Sequence, residues 1–307
     1  MALPANYLDY PHRRPGMDHD WYDYSNLFKR RPVTWPGGAR IALWIVPVLE
    51  FFPLDMAPKG VRPPGGLERP YPDLWNYTLR DYGNRVGFAR IFRALEKRGL
   101  KATVALSSRL AERYPHILQE AKRLGFEVAA HGIDMNHIHA GDLAPDQERE
   151  WIRSSLSTLR KASGQKVEGW YSPAGSMTRN TIDLLAPEGV QWVADWINDD
   201  LPYALTGKGG AMTAMPLGFE ISDLQIFHAY KYKAAQYVEQ VRDHFDLLYR
   251  EAGKHGGRIV ALPLRPWLSG VPHRIRAIED ALDHMLGHAG VWNATGSEIL
   301  AAWKGQQ

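Results

Sequence analysis

Residues 41 to 54 read IALWIVPVLEFFPL, and the fold turns on what this run is. It is too short to span a bilayer and carries prolines and a glutamate, so it is read as a buried β-strand. Short β-branched or apolar runs recur at 102–106, 126–131, 167–171, 190–195, 211–216, 258–264 and 290–293. Helical patterns fill most of the gaps, at 84–98, 108–124, 145–163, 178–187, 233–252, 274–288 and 296–304. Repeated β–α steps with no composition break or internal repeat predict an α/β chain folded as one (β/α) barrel-like domain, with an open doubly wound sheet as the alternative. The Pro/Gly-rich stretch FFPLDMAPKGVRPPGGLERPYPDLW, 51–75, reads as a long loop after the first strand.

Composition narrows the function classes. The chain has 307 residues, 45% apolar and 23% charged, the balance of a globular protein. Its 37 basic and 34 acidic residues are interleaved and sum to +3, so no basic stripe points to nucleic acid, and a small-molecule substrate is expected. Cysteine is absent, which excludes disulfides, thiolate nucleophiles and cysteine zinc sites. MALPANYLDYPHRRPGMDHDW lacks the apolar core of a secretory signal, so a cytoplasmic location without membrane association is expected. FKRRP at 28–32 reads as a solvated lead-in, and NAT at 293–295 as a chance match to a glycosylation acceptor.

In barrels of this kind catalytic groups collect where the strands' C-terminal ends open. Standing there are Glu50, Ser107, His131 with Asp134, Tyr171 with Ser172, Asp195 with Trp196, and Arg265. Glu50, flanked by Leu49 and Phe51, suits a general base or acid. His131 ends the apolar EVAAH and is followed by a glycine that permits a sharp turn. His137 and His139 read as solvated loop histidines. Asp195 lies in WVADWINDDLPY, where Asp199 and Asp200 suggest either a cation site or a turn cap. Arg265 leaves an apolar strand beside a proline, to bind a substrate carboxylate or to pair with an acid of the protein itself. Trp170, Tyr171, Trp196, Tyr203 and Trp267 offer flat faces for a planar heterocycle or a sugar, or simply pack the core.

WPGGARIALWIVPVLEFF, RDYGNRVGFARIFRALEKRGLKATVAL, FEVAAHG, VEGWYSPAGS, DWINDDLPY and GVWNATGSEILAAW follow, in order and spacing, the blocks of the polysaccharide deacetylase (NodB-homology) superfamily. The chain most resembles the intracellular branch, with its cofactor-independent allantoinases and cyclic imide hydrolases. The resemblance implies a distorted (β/α)7 barrel over 35–307 after an N-terminal lead-in arm at 1–34, and a homo-oligomer. Metal-dependent members end the first strand in two aspartates, a base and a metal ligand; the matching positions are Glu50 and Phe51. Their two histidines four residues apart correspond to His131 and Met135, the arginine of the third motif to Tyr171, and the late catalytic histidine to Arg265. The resemblance thus implies metal-independent hydrolysis of a small amide, cyclic ureide or imide, with catalytic Glu50, His131 and Asp195, substrate-binding Arg265, Tyr171, Ser172 and Trp196, and no cofactor. Two alternatives stand beside it: a zinc N-deacetylase with the relocated ligand set His131, Asp134 and either His137 or His139, and a catalytically silent binding protein.

Overall fold

The computed structural model of the protein describes residues 19–55 and 72–306. The first part of the lead-in arm, 1–18, and most of the loop read after the first strand, 56–71, lie outside the described residues.

Among the described residues, nine strands form one sheet: β1 Ile41–Leu49, β2 Thr103–Leu106, β3 Glu127–Ala130, β4 Gly169–Trp170, β5 Trp192–Val193, β6 Tyr203–Gly207, β7 Gly210–Ala214, β8 Arg258–Leu264 and β9 Val291–Asn293. The order is β6-β7-β5-β4-β3-β2-β1-β8, parallel except for the β6–β7 hairpin, with β9 paired to the start of β1. The sheet curls, and between its ends Ile259 N–H reaches Asp200 O at 3.4 Å. Each predicted strand run overlaps one of these strands; β6 has no counterpart among the runs. Its residues YALTG alternate in burial on an edge and reverse through Lys208 and Gly209. The predicted helix at 108–124 is divided by Pro115 into Ser108–Arg113 and Pro115–Arg123. The helical pattern at 84–98 is the second half of a longer run that starts at Leu74 and contains a π-type turn at Gly83–Gly87.

β1 explains how a continuous apolar run builds a two-layered core. Alternate side chains leave a strand on opposite faces. Ile41, Leu43, Ile45 and Leu49 pack into the cluster that holds Phe88, Ile91 and Phe92 of the flanking helix. Ala42, Trp44, Val46 and Val48 join Ala105, Ala129, Trp192, Ala194 and Ala261 in a second cluster inside the curl. There the Trp44 and Trp192 rings meet edge to face at 5.4 Å, and small residues on the surrounding strands leave them room. Glu50, the next residue of the inward series, follows β1.

Asn293 and Thr295, the residues of the glycosylation-like match, have structural work. Asn293 Nδ2 donates to Leu43 O and Lys101 O, and Thr295 caps helix Gly296–Lys304 in a reciprocal pair with Glu298.

Candidate active site

Register aligns the strand ends. Leu49 pairs with Leu106, Leu106 with Ala130, Ala130 with Trp170, and Trp170 with Val193. The residues after these form one layer, Glu50, Ser107, His131, Tyr171 and Ala194, and on the other side Pro47 pairs with Leu264, just before Arg265. Sequence-distant groups therefore reach one place because the ladders end together.

Glu50 and Arg265 meet there as a buried ion pair, Arg265 Nε to Glu50 Oε1 at 3.1 Å. The other carboxylate oxygen accepts Trp267 Nε1–H at 3.1 Å. Arg265 Nη2 donates to the Tyr171 hydroxyl at 3.3 Å, its backbone N–H donates to Asp223, and its Nη1 lies 3.8 Å from Asp223 Oδ1. Arg265 pairs with the protein's own acids and also lines the cavity. Asp223, which sequence reasoning missed, also accepts the Ser269 hydroxyl at 2.6 Å, and burial pushes its carboxyl up to about 6 against the opposing pull of Arg265.

His131 is fully buried and lies outside the cavity lining. Its Nδ1 is 2.7 Å from Tyr171 O, and since a carbonyl only accepts, Nδ1 carries the proton. Nε2 is left a bare acceptor with no partner, 3.9 Å from Glu50 Oε1. Burial depresses this imidazole to about 4; Glu50 and the Tyr171 carbonyl oppose that shift and Arg265 adds to it. His131 is thus neutral, stacked beneath Tyr171 at 4.9 Å. Gly132 after it has φ +61°, and a Cβ there would lie 2.4 Å from Pro173 Cγ, so the expected sharp turn does require glycine.

Above this layer opens a cavity of ≈ 390 Å³ whose walls include Glu50, Met135, Tyr171, Asp195, Arg265 and Trp267. Asp195 accepts the Ser172 backbone N–H at 2.9 Å and its hydroxyl at 3.3 Å, and burial lifts its carboxyl to about 7 despite those bonds. Burial also raises the Tyr171 phenol, which stays protonated; with Arg265 donating to its oxygen, its own proton is free to point elsewhere.

Two expected substrate-binding residues are placed otherwise. Ser172 is fully buried, accepting Trp170 Nε1–H at 2.8 Å while it holds Asp195, and it does not line the cavity. Trp196 turns toward the arm, with ring centroids 5.6 Å from both Trp21 and Tyr22. Tyr203 also packs on Tyr22, while Trp170 is core. Ser107 is buried as well, bonded to Phe51 N–H and His131 O.

The relocated metal set does not assemble. Asp134 Oδ1 is tied to His137 Nδ1 at 2.5 Å and to Asn136 N–H at 2.9 Å, shaping its own loop. His139 is buried against Glu148, 3.0 Å away, rather than solvated as expected. Burial would raise the Glu148 carboxyl, but the bonds from His139, Thr178 and Thr181 leave it lowered. Among the described residues, His131, His137 and Asp134 do not form a group with donor atoms within 4.8 Å of one another. The family's own metal position fares no better, because Met135 N–H donates to Phe51 O at 2.9 Å, so the two positions are neighbours and both offer apolar side chains. Asp199 pairs with Arg30 at 2.7 Å and accepts Leu201 N–H at 3.1 Å, which makes it a turn cap.

Arg80 escaped sequence reasoning altogether. Its buried guanidinium lies over the rings of Phe52 and Trp267, at 5.0 and 5.2 Å, with Nε and Nη2 unpartnered. Asn84, on the π-type turn, donates to Glu50 O at 3.2 Å. That turn comes close because Gly83 and Gly87 have no side chains; a Cβ on either would lie 2.6 Å from Trp267 N or 2.2 Å from Pro266 O.

This architecture agrees with three comparisons. Residues 77–193 match the polysaccharide deacetylase family model, a span that takes in β2 to β5 and includes His131 and Tyr171 but neither Glu50 nor Arg265. A Schizosaccharomyces pombe protein of the polysaccharide deacetylase type is 28% identical over 241 residues, 73% of this chain and 74% of the relative. Among solved structures, PuuE allantoinase superposes with a TM-score of 0.81 at 24% identity over 93% of this chain and 99% of that one. A polysaccharide deacetylase-type protein of Pseudomonas aeruginosa PAO1 gives 0.82 at 24% identity over 92% and 98%. The chain shares the curled α/β barrel fold of these solved structures, and residues 77–193 are similar to the polysaccharide deacetylase family.

Proposed function

We propose that the protein is a metal-independent hydrolase of a non-peptide C–N bond in a small amide, cyclic ureide or imide. The observation that supports this most is the convergence of the Glu50 carboxylate, the Tyr171 hydroxyl and Asp195 on one cavity of ≈ 390 Å³, a volume suited to a small molecule. Glu50, anchored by Arg265 and Trp267, takes a proton from water as the oxygen attacks the carbonyl carbon. The Tyr171 O–H donates to the oxygen on which charge develops. Asp195, held near pH 7 by burial, delivers the proton that the leaving nitrogen needs. Arg265, His131 and Ser172 are positioning residues: the first for Glu50 and Tyr171, the second under Tyr171, the third for Asp195. The likeness to an allantoinase structure favours a ureide among these substrates.

The test is turnover of a panel of linear amides, hydantoins and cyclic imides by chelator-treated protein, with Glu50→Gln alongside. Turnover that survives chelation and falls by a factor on the order of 10²–10⁴ in the variant is expected. Activity restored only by added zinc overturns metal independence, and an unimpaired variant overturns the base. Binding across the panel without turnover would make this a binding protein.

A further inference from the structure

The helices Ala234–His255 and Ile275–Leu286 pack side by side on the outside of the barrel, and where the second ends they bring together Asp246, His284 and His288. One donor atom from each lies within 4.8 Å of the other two. We propose that this cluster is a binding site for a borderline divalent cation of the zinc class, separate from the cavity.

Three features set it apart from a chance surface cluster. His284 and His288 are four residues apart across a helix end, a spacing that puts both rings on one side, and their centroids are 4.9 Å apart. The His288 Nδ1 donates to His284 O at 2.9 Å, which fixes the tautomer that leaves Nε2 bare, as in zinc sites where the second nitrogen is tied to a carbonyl. The turn that carries His288 is pinned by the Tyr249 hydroxyl on Ala289 O at 2.8 Å, and Phe245 packs against both imidazoles at 5.7 and 5.0 Å. Asp246 supplies the anionic ligand from the neighbouring helix, now 2.7 Å from His284 Nε2. Binding replaces that contact by two bonds to the cation, with the His284 ring proton on Nδ1. Two imidazoles and one carboxylate are a zinc-type set with a coordination position left for water. The carbonyl end of Ile275–Leu286 adds its negative dipole. All three side chains are half-buried, so the site is accessible.

One consequence concerns the active site. Zinc found in purified protein would sit here, and its amount would not track hydrolysis. Titrating zinc chloride into chelator-stripped full-length protein by calorimetry should give one site, with thermal stability rising as the site fills. His288→Ala and Asp246→Asn should each weaken binding by at least ~10-fold, and Glu50→Gln should leave it unchanged. Thermal unfolding of the metal-free variants establishes that they are folded, and His288→Gln provides a milder second variant. No binding by the native chain, or binding indifferent to all of these substitutions, overturns the proposal.

Discussion

Arg265 carries the electrostatics of the site. It faces Glu50, Asp223 and the Tyr171 hydroxyl at once, which lysine cannot do, since a single ammonium lacks the guanidinium's fork of donors. Arg265→Met strands two buried acids, and loss of one partner of such a pair costs about 3–5 kcal/mol. Denaturant unfolding should show a smaller loss below about pH 6, where Asp223 is protonated even beside Arg265, and a growing loss as pH rises above it. Asp195 carries the pH response. Its carboxyl is raised from 3.8 to about 7, so between those values the unfolded chain has released a proton that the folded chain retains. Folded stability therefore falls as pH rises through this window and is level above it. Asp195→Asn removes the effect, and the stability of the variant relative to the parent should climb across the window by roughly 4 kcal/mol at most. In the proposed reaction the rate should decline above about pH 7 as Asp195 loses its proton, and the variant should lose that limb along with most of its rate. A variant as sensitive to pH as the parent, in unfolding and in rate, would remove Asp195 from both roles.

Elements show what the sequence made legible. β1 could be found because both of its faces are apolar, and its inward series 42, 44, 46, 48 makes Glu50 an inward residue by strand periodicity alone. Asp195 is reached differently, because β5 ends at Val193 and the chain bends after it, so its place in the cavity depends on the bonds from Ser172. The direction of Trp196 was equally hidden, because the rings it faces come from the arm at Trp21 and Tyr22. Arg80 and Asp223 left no trace, one on a helix that only meets the site through the glycine contacts at Gly83 and Gly87, the other in a segment with no periodicity. The partner of His131 is a backbone carbonyl, invisible to side-chain patterns. Glycine at 169, by contrast, has a direct structural reason. A Cβ there would stand 2.0 Å from Trp192 Cζ2, inside the ring that fills the barrel with Trp44. Gly169→Ala should cost about 1–3 kcal/mol or more through overpacking, seen as a lower denaturation midpoint, while Gly164→Ala, open in space but at φ +75°, pays only for its backbone. Equal midpoints for Gly169→Ala and the parent would mean that the Trp192 ring is free to move aside.

At the scale of the whole molecule, the described part of the arm closes the edge that the curled sheet leaves open. β6 is the terminal strand of the path, and edge strands present unpaired backbone groups unless something covers them. Thr206 N–H donates to Trp21 O at 2.6 Å, Asn198 Nδ2 donates to the Tyr22 hydroxyl at 2.9 Å, and Arg30 pairs with Asp199. Trp196 is the hinge of this packing, because its ring meets His19, Trp21 and Tyr22 together, and it directly follows Asp195 of the cavity. The described part of the arm is thereby fastened beside the site, and neither Trp21 nor Tyr22 lines the cavity. Removing the ring with Trp196→Ala should loosen the arm locally, since the contacts it loses are confined to that seam. Trypsin should then cut after Lys29 or Arg30 markedly faster than in the parent, while the global unfolding midpoint moves less than for Arg265→Met. If cleavage stays slow, the arm is held by the Thr206 and Arg30 bonds rather than by the aromatic seam; if it accelerates only together with global unfolding, the arm and the barrel are one cooperative unit.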